Sequence, residues 1–315
     1  MTPPRPWRLS EHPAFDTEPK DWAILSCFFN FSQYQRPIAN LGCFLDWIWG
    51  NRLPVFMHEI VLHDQIPLLP TNHPHVLQSR LLSNGILFQK EAALTQLAHE
   101  VSVPKMFFCD CDIVLADASC FLRAAWLLEH ARLVQPFSRA IWTDALGAPS
   151  THKDSTAYAW GGNNQNHCLD PRFYHPGFAF GVTREFFRQV GSLYGCPLTG
   201  TGDAALFQAA LAPLLPAPIK GQSYYTAPSP TDWKDRVAAF VDGRVAAIAG
   251  DVRHFYHGTT KARAYDQRHH LLAGFEPGRD LATDPASGLP VWTEAGKPLQ
   301  EAMIEYFRSR QEDAD

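Results

Sequence analysis

A chain of 315 residues, 46% hydrophobic and 19% charged, can bury a substantial core and has the length of one large domain or two small ones. Its formal charge of −5 at pH 7 exerts no global pull toward nucleic acid or an anionic membrane, though a local basic stretch can still serve either, and no apolar run reaches bilayer-spanning length. The seven cysteines, odd in number and without a CxxC pair, fit free thiols in a reducing compartment better than a disulfide framework; with no apolar segment after Met1-Thr2-Pro3-Pro4-Arg5-Pro6, the expected location is cytoplasmic.

In chain order, residues 1–20 read as a proline-rich polar tail, mobile or surface-draped. The apolar run Trp22–Phe29 predicts a buried strand, and 37–50 a helix with Pro37 in its first turn. Residues 54–62 predict a second strand and 83–101 a helix. Met106-Phe107-Phe108-Cys109 predicts a strand ending at Asp110, and 118–133 another helix. This alternation implies an α/β fold with a parallel, doubly wound sheet. Ligands of such sheets collect at the carboxyl ends of strands, where Asn30, Asp64 and Asp110 fall. Beyond Pro136 the pattern changes. The polar stretch 147–172, containing Trp160-Gly161-Gly162-Asn163-Asn164, has the length of a lid or binding loop. Residues 237–249 read as a hairpin turning at Asp242-Gly243 that delivers the chain to His254 and His257. Gln311-Glu312-Asp313-Ala314-Asp315 reads as a solvated acidic end, and no internal repeat is present.

Asp110-Cys111-Asp112 is the most informative motif. On a strand, residues i and i+2 share a face, so two carboxylates at a buried strand end repel each other and call for a positive partner, commonly a hard divalent cation. Chance alone supplies about one Asp-x-Asp in a chain of this length. What raises the motif is a second cluster, His254-Phe255-Tyr256-His257-Gly258-Thr259-Thr260-Lys261-Ala262-Arg263. There His257 can complete a cation's coordination, Gly258 can let backbone approach a phosphate, and Lys261 with Arg263 can neutralise a diphosphate. A solvated basic loop is the structural alternative.

Taken together, these blocks resemble the GT-A class of nucleotide-sugar glycosyltransferases from Trp22 to about Trp292. Phe29-Asn30-Phe31 through Arg36 resembles the first nucleotide-binding loop, and Phe88-Gln89-Lys90-Glu91 the helix before the signature strand. Asp110-Cys111-Asp112 resembles the DxD metal signature. His175-Pro176-Gly177-Phe178-Ala179-Phe180, followed by Gly200-Thr201-Gly202-Asp203, resembles the acceptor-side segment. His257-Gly258 with Lys261 resembles the late metal histidine and phosphate lysine. One departure is Ala204-Ala205 after Asp203, where many relatives carry a second acid.

The resemblance implies a Rossmann-like, mostly parallel central sheet flanked by helices, a smaller acceptor-side region, and a C-terminal hairpin and helix. It implies a tail over 1–20 and one domain over 21–300, with a nucleotide-sugar-binding half at 21–135 and an acceptor-binding half at 136–300. Residues 301–315 would be a helix end and acidic tail. The implied reaction moves a hexose from a nucleotide diphosphate sugar, UDP-sugar by preference, to an acceptor hydroxyl. Asp110, Asp112 and His257 would hold Mn²⁺ or Mg²⁺, the mixed ligand set favouring Mn²⁺. Asp203 would be the general base of an inverting transfer, a helix N-cap or first-turn acid being its structural alternative. Phe29, Asn30, Arg36, Glu59, Arg80, Lys90, Gly258, Lys261 and Arg263 would face the donor. For Asn30, Glu59, Arg80 and Lys90 bracing of the sheet is the alternative. Trp160, Gly177, Phe178 and Gly202 would face the acceptor, with core packing the alternative for these aromatics and for Trp142.

Met106 to Val114 also fits the first signature of haloacid-dehalogenase-type phosphatases, but those enzymes need a later GDxxxD, and Gly202-Asp203 is followed by Ala204-Ala205-Leu206-Phe207. Zinc held by Cys109, Cys111 and Cys120 is disfavoured by the C-x-C spacing on a strand. A non-catalytic sugar-binding protein of the same fold stays open. In brevity and block order the chain is similar to compact phage-type enzymes that glycosylate 5-hydroxymethylpyrimidines in DNA. DNA is therefore the expected acceptor and a bacterial host cytoplasm the expected setting, with a soluble glycan or protein the alternative acceptor. Lys261, Arg263, Arg268, His269 and His270 would contact the phosphate backbone.

Overall fold

Two adjacent strands, each apolar on both faces, start the central sheet, and the helices between them cover its sides. The computed structural model describes residues 7–8, 21–69, 75–162, 164–196, 198–215, 231–259, 261–264 and 268–314. In chain order these contain β1 (Trp7–Arg8), β2 (Trp22–Phe29), α1 (Gln35–Gly50), β3 (Val55–Leu62), β4 (Val76–Ser83) and α2 (Lys90–Glu100). There follow β5 (Val101–Ser102), β6 (Lys105–Cys109), β7 (Ile113–Leu115), α3 (Ser119–Leu127), β8 (Leu133–Gln135) and β9 (Arg139–Thr143). Next come β10 (Pro149–Ser155), α4 (Thr156–Gly161), β11 (Tyr174–His175), β12 (Ala179–Thr183), α5 (Arg184–Gln189), α6 (Gly202–Leu211) and α7 (Thr231–Val241). The chain closes with β13 (Val245–Ala247), β14 (Asp251–His254), α8 (Pro277–Asp280), β15 (Leu281–Thr283), β16 (Pro290–Trp292) and α9 (Lys297–Ser309).

The central sheet runs β13-β8-β12-β6-β2-β3-β4. It is parallel except for β12, which lies antiparallel to both β6 and β8. Fold class is thus α/β, with a mostly parallel sheet flanked by helices and a C-terminal hairpin (β15–β16) and helix (α9), as expected. The period-2 geometry of β2 and β6 divides the core. Ala23, Leu25, Met106 and Phe108 point to one face with α2 and α6; Ile24, Phe28, Phe107 and Cys109 point to the other with α1 and α3. In the β12–β6 register Gly181 sits opposite Phe107, whose ring fills the space a Cβ would take, 2.3 Å away. A second sheet, β11-β10-β9-β14-β7, stands at the carboxyl end of β6.

Several boundaries differ from the sequence reading. Residues 83–101 are not one helix: Val76–Ser83 is a strand, and the helix starts only at Lys90. The strand was hidden because Val-Leu-Gln-Ser-Arg-Leu-Leu-Ser mixes polar and apolar residues, as suits the last strand of a sheet. The helix expected over 118–133 stops at Leu127, and Leu133–Gln135 joins the sheet. The stretch 147–172 is not a free lid: β10 and α4 occupy half of it. No hairpin spans 237–249. Residues 237–241 end α7, and the turn at Asp242-Gly243, with φ of 47° and 67°, leads into β13. Of the expected tail 1–20, only Trp7–Arg8 lies within the described residues, paired parallel with β5; Asn163, Thr260 and Asp315 also fall outside them.

The acidic end is solvated at Gln311, Asp313 and Ala314 but not at Glu312. Glu312 is buried, and the Asp313 carboxylate accepts hydrogen bonds from Gln35 N and Arg36 N at the start of α1. All seven cysteines are free thiols. Among the described residues no helix is long and apolar enough to cross a membrane.

Candidate metal centre

The two aspartates of the motif do not share a face. β6 ends at Cys109, and Asp110-Cys111-Asp112 forms a turn into β7 rather than a strand end. The period-2 rule therefore lapses where the sequence reading applied it. Asp110 turns to Lys90, the first residue of α2, whose Nζ lies 2.9 Å from Asp110 Oδ1. Asp112 turns to the late histidines: its Oδ2 lies 2.9 Å from His257 Nε2 and 3.4 Å from His254 Nε2.

Strand register creates this second meeting. β14 pairs antiparallel with β7, placing His254 opposite Ile113, next to Asp112, and Phe255 N donates to Asp112 O at 2.9 Å. His257 follows three residues later, with its Nε2 3.2 Å from His254 Nε2. Phe178 stacks on the His254 ring, centroids 4.7 Å apart and planes 11° from parallel. It does so from a left-handed backbone conformation, φ 73°, that a bulky residue adopts only under the constraint of its surroundings.

One oxygen of Asp112 and one nitrogen from each imidazole lie within 4.8 Å of one another. The other oxygen, Asp112 Oδ1, is buried without a hydrogen-bond partner. Two imidazole nitrogens and a carboxylate facing one point, with an unsatisfied carboxylate oxygen beside them, fit a divalent cation. Two imidazoles and a carboxylate suit Mn²⁺ or another first-row ion better than Mg²⁺, which prefers an oxygen shell. Burial raises the Asp112 pKa, but His254 and His257 outweigh it and hold the carboxyl well below its ordinary range. Burial lowers His254 to about 4, leaving it neutral and able to donate a lone pair at neutral pH.

The neighbouring cluster is already neutralised by a cation of its own. Burial disfavours the Lys90 ammonium, yet Asp110, Glu91 and Asp203 more than offset this and hold its pKa well above the ordinary value. Burial pushes Asp110 up to about 6, opposed by Lys90 and reinforced by Asp112 and Asp203. Glu91 is raised to about 7, again mainly by burial. These groups, with Phe178 and Gly202, line an enclosed cavity of about 20 Å³, one water in size. Asp203, in the first turn of α6, bonds Ala204 N through Oδ1 at 2.8 Å. Two glycines make room here. A Cβ on Gly177 would lie 2.0 Å from Asp203 Oδ2, and one on Gly202 would lie 2.2 Å from Glu91 Oε1.

The remaining candidates divide. Asn30 closes its own loop, accepting from Tyr34 N at 3.0 Å and donating to Tyr34 O at 2.7 Å. Glu59 is buried, accepts from Leu69 N at 3.3 Å and pairs with Arg80 at 3.4 Å across the β3–β4 register. The Glu59–Arg80 pair thus braces the β3–β4 edge of the sheet, whereas Asn30 orders the β2–α1 loop. Phe29 packs between Phe31 and Phe88, centroids 5.3 and 5.2 Å away. Arg36 covers the Tyr256 ring at 5.1 Å. Trp160 donates Nε1–H to Gly243 O at 2.9 Å, tying α4 to the α7–β13 turn. Gly258, φ 90°, admits the C-terminal segment: a Cβ there would lie 3.0 Å from Gln311 O. Lys261 is exposed, whereas Arg263 is buried and donates through Nη2 to His257 Nδ1.

Sequence reasoning passed over His254 as a ligand, although its spacing of three from His257 was visible. It also passed over Glu91, His175 and Glu312. His175 Nε2 is buried without a hydrogen-bond partner, and burial lowers its pKa to about 3.

No protein-family model and no curated protein sequence matches the chain. Among solved structures it is similar to residues 1–349 of S. aureus TarS, with 12% identity, a TM-score of 0.37, and coverage of 60% of this chain and 54% of that one. The match thus spans about half the length of that TarS structure. It is also similar to a mycobacterial protein, with 12% identity, 91% and 87% coverage and a TM-score of 0.44. A third is glucosyl-3-phosphoglycerate synthase from Mycobacterium tuberculosis, solved in complex with Mn²⁺, UDP and phosphoglyceric acid, with 11% identity, 93% coverage of each chain and a TM-score of 0.41.

Proposed function

We propose that this chain is a metal-dependent glycosyltransferase that moves a hexose from a nucleotide diphosphate sugar, UDP-sugar by preference, to an acceptor hydroxyl with inversion. The observation that carries this reading is the convergence of Asp112, His254 and His257 on one point at the carboxyl end of the β6 strand. Asp112, His254 and His257 would hold Mn²⁺. When bound, such an ion supplies Lewis-acid neutralisation of the departing diphosphate.

The chain's own residues supply the rest. Asp203 takes the acceptor proton as the acceptor oxygen bonds to the anomeric carbon. The sugar–phosphate bond breaks on the opposite side, its electron pair leaving with the nucleotide diphosphate. Lys261 adds positive charge on the solvent side, and Lys90 keeps Asp110 satisfied beside the reacting groups. The donor-facing half is 21–135 and the acceptor-facing half 136–300. The DNA acceptor expected from the sequence draws on a basic segment in which Arg263 and Arg268 are only 5% and 7% exposed, leaving Lys261 and His270 at the surface. We therefore commit to an acceptor hydroxyl and make DNA one arm of the assay.

The test is donor turnover with Mn²⁺ and radiolabelled nucleotide sugars, offered hydroxymethylated duplex DNA, unmodified DNA, oligosaccharides and protein. Label should reach one acceptor, or water, in the wild type and none in Asp112→Asn. No turnover of any nucleotide sugar, together with phosphate release from phosphomonoesters, would replace the transferase by a phosphatase.

A further inference from the structure

His257 meets two competing partners on the nitrogen that faces away from Asp112. Its Nδ1 lies 3.2 Å from Glu312 Oε1, and the same Nδ1 receives the Arg263 Nη2 donor. A neutral imidazole carries one N–H. When Nδ1 accepts from Arg263, the hydrogen sits on Nε2 and points at Asp112 Oδ2, so no lone pair is left for a cation. When Nδ1 donates to Glu312, the Nε2 lone pair faces the point shared with Asp112 and His254.

Glu312 is held in place for this role. The chain turns back after α9 at Gln311, φ 47°, where Tyr34 Oη donates to Arg308 O at 2.6 Å and accepts from Gln311 N at 3.2 Å. One residue further on, Asp313 accepts from two backbone N–H groups of the first turn of α1. Bare Gly258 lets the segment pass within contact of the metal loop. Between these anchors Glu312 is 8% exposed, and Arg310 Nη2 sits 2.5 Å from the same Oε1 that faces His257.

We propose that Glu312 is a positioning residue, selecting the His257 tautomer that presents Nε2 to the cation, while Arg263 holds the opposite tautomer in the metal-free protein. The inference rests on the metal reading above and assigns its control to the C-terminal segment. Outer-shell hydrogen bonds of this kind orient ligand imidazoles, and losing one weakens metal affinity about 10–100-fold.

Mn²⁺ alone, titrated into the full chain and followed by electron paramagnetic resonance, provides the test. Glu312→Ala should weaken binding about 10–100-fold, while Glu312→Gln, which keeps an acceptor oxygen but no charge, should stay within about threefold of wild type. The ¹⁵N shifts of His257 supply a second readout: Nε2–H without metal, Nδ1–H with diamagnetic Zn²⁺. Equal weakening by Ala and Gln would reduce Glu312 to a bulk charge and overturn the proposal, as would Nδ1–H in the metal-free wild type. Wild-type protein that binds no Mn²⁺ would instead sink the metal reading beneath it.

Discussion

The two polar clusters on either side of Cys111 are each built around an aspartate of the motif and reach opposite states. Around Asp112 two imidazoles face the carboxylate, burial holds His254 neutral, and one carboxylate oxygen has no partner, so the cluster is short of positive charge and suited to an added cation. Around Asp110 an ammonium is already in place, facing three carboxyl groups, so this cluster carries its own cation even though both oxygens of Glu91 are buried without a hydrogen-bond partner. A motif read as a pair is thus divided by one turn between two different sets of partners. Residue type alone does not assign the role; the charge of the third group does.

Removing the metal should break this contrast most severely. Chelation, or Asp112→Asn, should abolish transfer, checked by turnover with and without Mn²⁺. Asp203→Asn should cost about 10²–10⁴-fold in kcat with Mn²⁺ affinity unchanged, because Asp203 belongs to the other cluster. Lys90→Met should act on stability: stripping the cation from largely buried carboxylates destabilises by on the order of 3 kcal/mol, read by denaturant unfolding.

Glu91→Gln gives the smallest and most diagnostic change. Burial raises the folded pKa of Glu91 to about 7 from 4.5, so its native form binds more protons than the unfolded chain between those values. Its favourable contribution is complete below pH 4.5 and is lost as pH rises through 7. The glutamine variant should therefore be more stable than wild type at pH 8, by on the order of 1–3 kcal/mol, with the advantage vanishing near pH 4.5. An unchanged difference between pH 4.5 and 8 would show that Lys90 neutralises the cluster fully.

Much of the frame was legible because it is local. Trp22–Phe29 is apolar except for Ser26, as a strand buried on both faces requires, and the structure gives it those bounds. The link between Asp112 and a late histidine was legible from residue chemistry, and the two stand 2.9 Å apart. What stayed hidden depends on long-range register or on a single turn. The strand Val76–Ser83 carries Gln78, Ser79 and Arg80, whose places are set by β3 beside them. His254 enters the cluster through the β14–β7 pairing. Glu312 approaches His257 across 55 positions of chain. A short acidic stretch following a helix has the composition of a solvated end, and nothing local marks Glu312 as its one buried residue among those described.

The placement of β12 has a consequence for how the chain acquires its shape. This antiparallel strand separates β6 from β8, although it is made some 44 residues after β8 ends. Until residue 183 has left the ribosome, β6 shows an unpaired edge and β8 has no place to dock, so an isolated 21–135 fragment should fail to fold cooperatively and should expose a self-pairing strand. The segment 21–135 is contiguous in sequence, yet its sheet is completed only by a strand from the later part of the chain.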